Sequence, residues 1–271
     1  MIRVEQISKI LPSGKALLKD INFTVERGEF LGILGASGAG KSLSLRCIVG
    51  LIKPTSGKII FTEELDEHER SVNICELKGR RLRDARKHLG VIFQGNNLVK
   101  RLTALENVMI GRLGQISPLR TWVYGFTDQE AEEAYEALKQ VKMEEYANRR
   151  VGSLSGGEQQ RVAIARAIFQ NPSVYLADEP VSSLDPKNAK KILKLLKPLA
   201  EHKPVIGVFH QPQLVSEYCT RVVAIKDGTV VYDGDPKLSE EQLEMIYADE
   251  LPSLQHEIAS SATGKGKRKK K

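Results

Sequence analysis

Long hydrophobic segments are absent from this sequence of 271 residues. The longest apolar runs, such as Phe30 to Leu34 and Val222 to Ile225, have only the length of a strand. A helix that crosses a bilayer needs ~18–20 apolar residues. The first residues also lack the charged and then apolar layout of a secretory signal peptide. The sequence therefore predicts a protein that is kept in the cytosol and has no membrane span of its own.

Cysteine is scarce, and the three that occur are Cys47, Cys75 and Cys219. They are widely separated and form no Cys-x-x-Cys pair, so the sequence gives no indication of a zinc site. A structural disulfide is not expected in a reducing compartment. We therefore expect three isolated thiols that are buried or half-buried.

Acidic residues are missing from the C-terminal end of the chain. Residues 264–271 contain six lysines and arginines and no acid, and they account for most of the net charge of +7. The rest of the chain is thus nearly neutral, and we predict no nucleic-acid partner. Residues 251–271 are predicted to be a disordered basic tail. Its alternatives are a solvated end and a weak contact with anionic lipid headgroups.

The pattern of apolar residues changes along the chain. Residues 1–97 and 173–233 alternate short apolar strands with helices, which indicates an α/β core with a mostly parallel sheet. Residues 98–151 have helical periodicity instead, most clearly over Asp128–Val141, where Asp128 is a candidate N-cap. We interpret this middle region as an inserted α-helical subdomain.

A phosphate-binding loop follows the apolar strand Phe30–Leu34. The segment matches Gly-x4-Gly-Lys-Ser/Thr, with a strand before it and a helical segment after it. Its glycines let backbone N–H groups turn towards phosphates, and the helix N-terminus adds positive potential. Lys41 would contact the β- and γ-phosphates, and the Ser42 hydroxyl would ligate Mg²⁺. The predicted loop residues are Gly35, Ala36, Ser37, Gly38, Ala39, Gly40, Lys41 and Ser42.

Two adjacent acids, Asp178 and Glu179, end a second apolar strand that begins at Val174. In a P-loop fold the strand beside the phosphate loop presents an acid to Mg²⁺, and Asp178 fits that role. Glu179 can then act as the general base that polarises the attacking water. An apolar run with two acids is common by itself, and only its position after a P-loop gives it this meaning.

The stretch Leu154-Ser155-Gly156-Gly157-Glu158 opens another helix. Ser155 and Glu158 have the spacing of a capping box, so the segment can be explained as a well-capped helix. The same helix N-terminus, with Gly156 and Gly157, can also bind a phosphate. This stretch resembles the signature sequence of ABC ATPases, which in that family contacts the γ-phosphate of ATP held by the other subunit.

The resemblance to ABC ATPases covers about residues 1 to 240. It implies a P-loop NTPase core with an antiparallel β subdomain, formed by 1–97 and 163–250, and a helical signature subdomain at 98–162. It also implies ATP and Mg²⁺ as cofactors, with catalysis by a homodimer. The further partners it implies are transmembrane permease subunits and, indirectly, a periplasmic substrate-binding protein. The chain would lie at the cytoplasmic face of the plasma membrane.

Further motifs of that family occur in the same order. Gln94 matches its Q-loop glutamine, Ser183-Leu184-Asp185 resembles its D-loop, and His210 matches its switch histidine. The resemblance implies catalytic roles for Gln94, His210, Lys41 and Glu179, nucleotide contacts for Asp185, and Mg²⁺ ligation by Ser42, Gln94 and Asp178.

Two positions depart from the family pattern. Leu11 stands where the family usually has an aromatic residue that stacks on adenine, so it is predicted to cover the base by apolar contact alone. Gly95-Asn96-Asn97 follows Gln94 where relatives more often have a bulkier polar residue and Phe.

Within the family, the segments 97–103, 106–108, 111–114, and 210–211 together with 217–219, resemble ATPases of phosphonate importers, and 118–122 resembles a loop of the same subfamily. The function predicted is therefore the ATPase of an importer for a small oxyanion, with phosphonate first and phosphite or phosphate as alternatives. An ABC ATPase of another importer, a soluble ABC ATPase acting on DNA or ribosomes, and a regulator without hydrolysis are the competing hypotheses. The last conflicts with the presence of Glu179 and His210.

Overall fold

The computed structural model of this chain describes residues 1–65, 68–116, 120 and 125–248. The predicted basic tail, 251–271, and all of the predicted 118–122 loop except Arg120 lie outside the described residues. Within the described part of the chain, no helix is long and apolar enough to span a bilayer.

The described residues form ten strands and eight α-helices. The strands are β1 (Ile2–Ile10), β2 (Ala16–Val25), β3 (Phe30–Leu34), β4 (Ser56–Leu65), β5 (His68–Asn73), β6 (Leu89–Ile92), β7 (Val174–Asp178), β8 (Val205–Val208), β9 (Arg221–Lys226) and β10 (Thr229–Gly234). The helices are α1 (Lys41–Ile48), α2 (Gly79–Arg86), α3 (Ala104–Met109), α4 (Asp128–Gln140), α5 (Gly156–Gln170), α6 (Pro186–Ala200), α7 (Pro212–Tyr218) and α8 (Glu240–Tyr247). Short 3₁₀ turns lie at Ile74–Glu76, Ile110–Arg112, Glu144–Tyr146 and Val151–Ser153.

The central sheet has six strands in the order β10-β9-β3-β8-β7-β6. All its neighbouring pairs are parallel except β9 with β10. Every residue of β3, β7 and β8 is buried, because both faces of the sheet are covered and the strands are almost wholly apolar. The predicted α/β core with a mostly parallel sheet is therefore confirmed.

The second sheet is antiparallel and has the order β2-β1-β4-β5. It packs its apolar face onto the central sheet and α1, and the two share one buried cluster that includes Ile2, Ile21 and Ile33. A backbone hydrogen bond from Lys19 N–H to the carbonyl oxygen of Gly228 (2.7 Å) adds a direct link between the sheets. This sheet is the antiparallel subdomain that the family resemblance implied.

The helical segment lies between β6 and β7 in sequence, and α3, α4 and α5 pack together there. Asn107 is fully buried within it. Its Oδ1 atom accepts from Val99 N–H (2.8 Å), and its Nδ2 atom donates to the carbonyl oxygen of Thr103 (2.9 Å). The predicted boundary at 162/163 falls inside α5, so this one helix belongs to both of the predicted units.

The predicted cap of α4 was wrong by one residue. Thr127, and not Asp128, is the N-cap: its Oγ1 atom accepts from Glu130 N–H (3.2 Å). The Glu130 carboxylate accepts in return from Thr127 N–H (2.9 Å), which completes a capping box. Asp128 occupies the first helical turn, where its charge interacts favourably with the helix dipole. Both residue types suit a cap, and only the backbone geometry separates them.

We predict that Thr127→Ala lowers the free energy of unfolding by about 1 kcal/mol, because it removes the acceptor for an otherwise unsatisfied backbone N–H group. Thr127→Ser keeps the hydroxyl and should stay close to wild type. Asp128→Asn removes only a dipole interaction worth about 0.3–1 kcal/mol, and this loss should shrink in high salt. Urea unfolding of the three variants tests the assignment, and a larger loss in Asp128→Asn than in Thr127→Ala would reverse it.

Candidate active site

The phosphate loop connects the buried strand β3 to α1. Lys41 is the first residue of α1 and is only 4% exposed. Its Nζ atom donates to the carbonyl oxygens of Gly35 (2.7 Å) and Ala36 (2.8 Å), so the ammonium lies across the loop. A buried ammonium in this position gives the loop a fixed positive charge beside the N-terminus of α1.

A cavity of about 450 Å³ opens over this loop. Its walls combine the loop with side chains from three other parts of the fold, and the sequence had assigned most of them to the site. The lining residues are Leu17, Ser37, Gly38, Ala39, Gly40, Lys41, Ser42, Leu43, Gln94, Glu179 and His210. The structure therefore brings the loop together with Gln94, Glu179 and His210, the predicted catalytic side chains that follow β6, β7 and β8.

Glu179 is held from both sides. Gln94 Nε2 donates to Glu179 Oε2 at 2.8 Å, and His210 Nε2 donates to Glu179 Oε1 at 2.7 Å. The carboxylate is shielded on most of its surface, with 13% of the Glu179 side chain exposed, and its backbone has φ of 50°. A left-handed backbone at a residue other than glycine costs of order 1–3 kcal/mol and is found most often at functional sites. The carboxylate is thus fixed in place, as a general base requires.

Asp178 ends β7 and is 2% exposed. Its Oδ1 atom has no hydrogen-bond partner among the described residues, and Arg46 Nη2 lies 4.0 Å from its Oδ2 atom. A buried carboxylate with an unsatisfied oxygen is costly unless a positive charge compensates it. This donor fits the predicted Mg²⁺ ion.

Ser42 and Gln94, the other two predicted magnesium ligands, line the cavity. Hydroxyl, amide and carboxylate oxygens are ligands of the type that Mg²⁺ prefers, usually one or two from the protein with phosphate oxygens and water. The described residues contain no group of three or more His, Cys, Asp and Glu that could hold a metal ion.

The signature segment lies apart from this cavity. Ser155 is the N-cap of α5, and its N–H donates to Glu158 Oε2 at 2.7 Å, which holds the pKa of that carboxyl below its usual value. The predicted capping box is present. The space around both glycines is open. A Cβ placed on Gly157 would lie 3.9 Å from the Leu184 side chain, and a Cβ placed on Gly156 would have no neighbouring atom within 4 Å. In the described part of the chain, the N-terminus of α5 is therefore open to a ligand from outside.

The family assignment rests on sequence as well as on this geometry. Residues 18–182 match the ABC transporter family. The chain belongs to the ABC transporter family. It is 44% identical over 250 residues to the phosphonates import ATP-binding protein PhnC of Nitratidesulfovibrio vulgaris, covering 91% of each chain. It is 42% identical over 238 residues to PhnC of Treponema denticola, covering 87% of this chain and 90% of that one.

Solved ABC cassettes have the same fold. The ATP-binding cassette MJ0796, in a dimeric post-hydrolysis state bound to ADP and Pi, superposes with a TM-score of 0.72 at 35% identity, covering 88% of this chain and 100% of that one. The cassette cbiO1 from Clostridium perfringens gives a TM-score of 0.73 at 28% identity, covering 95% and 98%. The predicted ABC ATPase fold, and the likeness to phosphonate-import ATPases, are confirmed. The chain is a nucleotide-binding ATPase coupled to transport, a function that involves a second cassette and a membrane permease.

Two predicted nucleotide contacts of this ABC cassette lie elsewhere on its surface. Asp185 is the exposed N-cap of α6, and it accepts from Lys187 N–H and Asn188 N–H, both at 3.1 Å. These hydrogen bonds from the first turn of the helix lower the pKa of the Asp185 carboxyl, and the bond from Asn188 N–H has the largest effect. Leu11 lies in the turn after β1 and is 37% exposed. Neither is among the described residues that line the phosphate-loop cavity, and their roles stay predictions.

Leu17 lines the cavity of this ABC cassette but was not predicted. It lies at the start of β2, and its carbonyl oxygen would be 3.2 Å from a Cβ placed on Gly40. The contact joins the start of β2 to the phosphate loop, which follows a different strand, β3. An apolar residue at the edge of a strand carries no local signal for such a role, so the sequence could not identify it.

We predict that Gly35→Ala abolishes nucleotide binding by this cassette. Gly35 has φ of 149°, and a Cβ there would lie 2.1 Å from the carbonyl oxygen of Ile225, a backbone atom that cannot move without distorting the adjacent strand β9. Gly28→Ala is the matched control: Gly28 has φ of 80°, but nothing lies within 4 Å of its Cβ position. That variant should lose about 1–2 kcal/mol of stability and keep wild-type affinity. Titration with a fluorescent ATP analogue compares them, and equal affinities would refute the close-packing argument.

Proposed function

We propose that this chain is the ATP-hydrolysing subunit of an importer for a small oxyanion of the phosphonate class. The catalytic role is supported by the position of the Glu179 carboxylate. It lies on the wall of the phosphate-loop cavity, hydrogen-bonded to Gln94 (2.8 Å) and His210 (2.7 Å). The substrate class is supported by the names of relatives that are 40–44% identical over about nine tenths of this chain.

The phosphate loop, Gly35 to Ser42, binds the triphosphate of ATP through backbone N–H groups and Lys41. Ser42, Gln94 and Asp178 hold the Mg²⁺ ion, which when bound neutralises charge on the phosphate oxygens. Glu179 accepts the proton of the attacking water, while His210 keeps the carboxylate in position and contacts the γ-phosphate. Leu11 covers the base without offering an aromatic face, which leaves selectivity for adenine weaker than stacking would give.

The N-terminus of α5 completes a second chain's site. Ser155, Gly156 and Gly157 present an open helix N-terminus, which is a good anion site, but the phosphate loop of their own chain is not next to it in the described structure. Twofold pairing places this end over the γ-phosphate of the partner's ATP and creates two equal sites. Asp185, in the exposed segment before α6, lies at this interface.

The dimer works at the cytoplasmic face of the membrane, on a permease that receives its substrate from a periplasmic binding protein. ATP binding closes the dimer and hydrolysis opens it, and Gln94 and its loop pass this movement to the permease. The oxyanion itself contacts the binding protein and the permease, so the residues of this chain do not determine which oxyanion is transported.

Transport is tested with the chain assembled with its own permease and binding protein in proteoliposomes. We expect uptake of a radiolabelled alkylphosphonate that depends on ATP. In Glu179→Gln we expect ATP binding to be retained while hydrolysis and uptake fall ~10²–10⁴-fold, the loss typical of a missing general base. Inorganic phosphate and phosphite serve as competitors. Wild-type hydrolysis in Glu179→Gln would refute the assignment of the base, and uptake of phosphate but not of phosphonate would refute the substrate class.

The composite site is tested by mixing two inactive subunits. Lys41→Ala damages the phosphate loop and Ser155→Arg blocks the signature, so a mixed dimer has one site with both lesions and one intact site. ATPase activity should reappear on mixing. Full activity of Ser155→Arg alone would show that the signature has no role in hydrolysis. No activity in a demonstrated mixed dimer would exclude independent composite sites.

A further inference from the structure

The segment after Gln94 has a strained backbone. Gly95, Asn96 and Asn97 have φ of 78°, 66° and 47°, so three consecutive residues lie in the left-handed region. Asparagine tolerates this region better than most residues, but such a run persists only where the surrounding structure imposes it. Asn96 is also 9% exposed and therefore fixed within the fold. A specific contact must hold this turn in place.

That contact comes from Arg166 of α5. Its two terminal nitrogens donate to successive carbonyl oxygens of the turn, Nη1 to Asn97 at 2.8 Å and Nη2 to Asn96 at 2.9 Å. Arg166 is half-buried, and burial lowers its pKa. A planar fork with fixed donor directions suits two adjacent carbonyl groups, and a lysine ammonium could not reproduce it.

The same helix also holds the other end of the segment that carries Gln94. Gln170, the last residue of α5, donates through Nε2 to the carbonyl oxygens of Lys87 (3.1 Å) and Leu89 (3.0 Å), where β6 begins. β6 and the following turn are therefore tied to α5 before and after Gln94. Close packing keeps Arg166 in place, because a Cβ on Gly111 would lie 2.6 Å from the Arg166 carbonyl oxygen.

We propose that Arg166 is a positioning residue for ATP hydrolysis: by holding the Asn96 and Asn97 carbonyl groups, it keeps Gln94 hydrogen-bonded to Glu179. This rests on the function proposed for Gln94 and Glu179 above. Arg166 lies roughly 16 Å along the helix from Ser155, at 1.5 Å per residue. The helix that presents the signature to the partner's nucleotide and the turn that positions Gln94 thus move as one body. Displacement of α5 in one subunit is transmitted to that subunit's own general base.

The test compares Arg166→Lys with a matched control in the full-length chain. Arg86 makes the same kind of contact elsewhere, donating through Nε to the Val49 carbonyl oxygen (3.2 Å) and through Nη2 to that of Gly50 (2.5 Å). We expect Arg166→Lys to lower kcat between about tenfold and about 100-fold, as a small misplacement of a catalytic group does. KM for ATP should stay within about twofold, because the phosphate loop is untouched. Arg86→Lys should keep kcat within about twofold of wild type, even if its melting temperature falls equally.

A double-mutant cycle separates positioning from general destabilisation. In a Gln94→Ala background, Arg166→Lys should change kcat by less than about twofold, because the side chain on which it acts is gone. The proposal is overturned if Arg166→Lys lowers kcat by the same factor in both backgrounds, if it leaves kcat unchanged, or if Arg86→Lys loses as much. Wild-type kcat in Gln94→Ala would instead refute the role proposed for Gln94, and the positioning role with it.

A variant on the turn side covers the case in which Arg166→Lys does not fold. Asn96→Gly with Asn97→Gly keeps both carbonyl groups and all of α5, but loosens the turn. We expect the same kinetic effect, a kcat at least about tenfold lower with KM unchanged. In the Gln94→Ala background we again expect no further decrease in kcat. A kcat equal to that of wild type would contradict the requirement for a fixed turn.

Discussion

The parallel pairing of four adjacent strands is the constraint on which the site depends. β3, β8, β7 and β6 are neighbours in the central sheet, and their carboxyl ends point the same way. The phosphate loop follows β3, His210 follows β8, Glu179 follows β7, and Gln94 follows β6. The registers pair Asp178 with Val208 and Ile92 with Ala177, so these strands end nearly level with one another. A shift by one residue in any of these pairings would turn the side chains of that strand to the opposite faces of the sheet and displace the site residue that follows it.

The end of β7 also explains how two adjacent acids come to suit the different roles proposed for them. Side chains of consecutive residues in a strand point to opposite faces. Asp178 is the last residue of β7 and is buried, whereas the left-handed backbone of Glu179 ends the strand and its carboxylate lies on the cavity wall. The hydrogen bonds from Gln94 and His210 offset the strain of that conformation. The geometry thus separates a carboxylate suited to a metal from one suited to accept a proton.

The sequence predicted the parts of this site that depend on local sequence patterns. Apolar runs of five and four residues, followed by glycines or acids, indicated β3 and β7 and the groups at their ends, because a strand buried on both faces is apolar throughout. It predicted neither Leu17 nor the N-cap Thr127. Leu17 reaches the cavity through packing between two sheets, and two neighbouring residues competed for the cap on equal chemical terms. The left-handed turn 95–97 was noted only as unusual residues, since its conformation is imposed by Arg166 from 69 residues away in sequence.

Helix α5 shows why such distant contacts matter for function. Its N-terminus is capped by its own Ser155 and Glu158, so it stays open to an anion without fraying. Further along the helix, the side chains of Arg166 and Gln170 donate hydrogen bonds to backbone carbonyl groups on either side of Gln94 and not to groups of α5 itself. A helix held in this way cannot shift at one end while the segment that carries Gln94 stays in place. Anion binding proposed at the helix N-terminus and the alignment of the proposed general base, Glu179, would therefore depend on one rigid element. That is the physical condition for a nucleotide in one subunit to influence hydrolysis in the other.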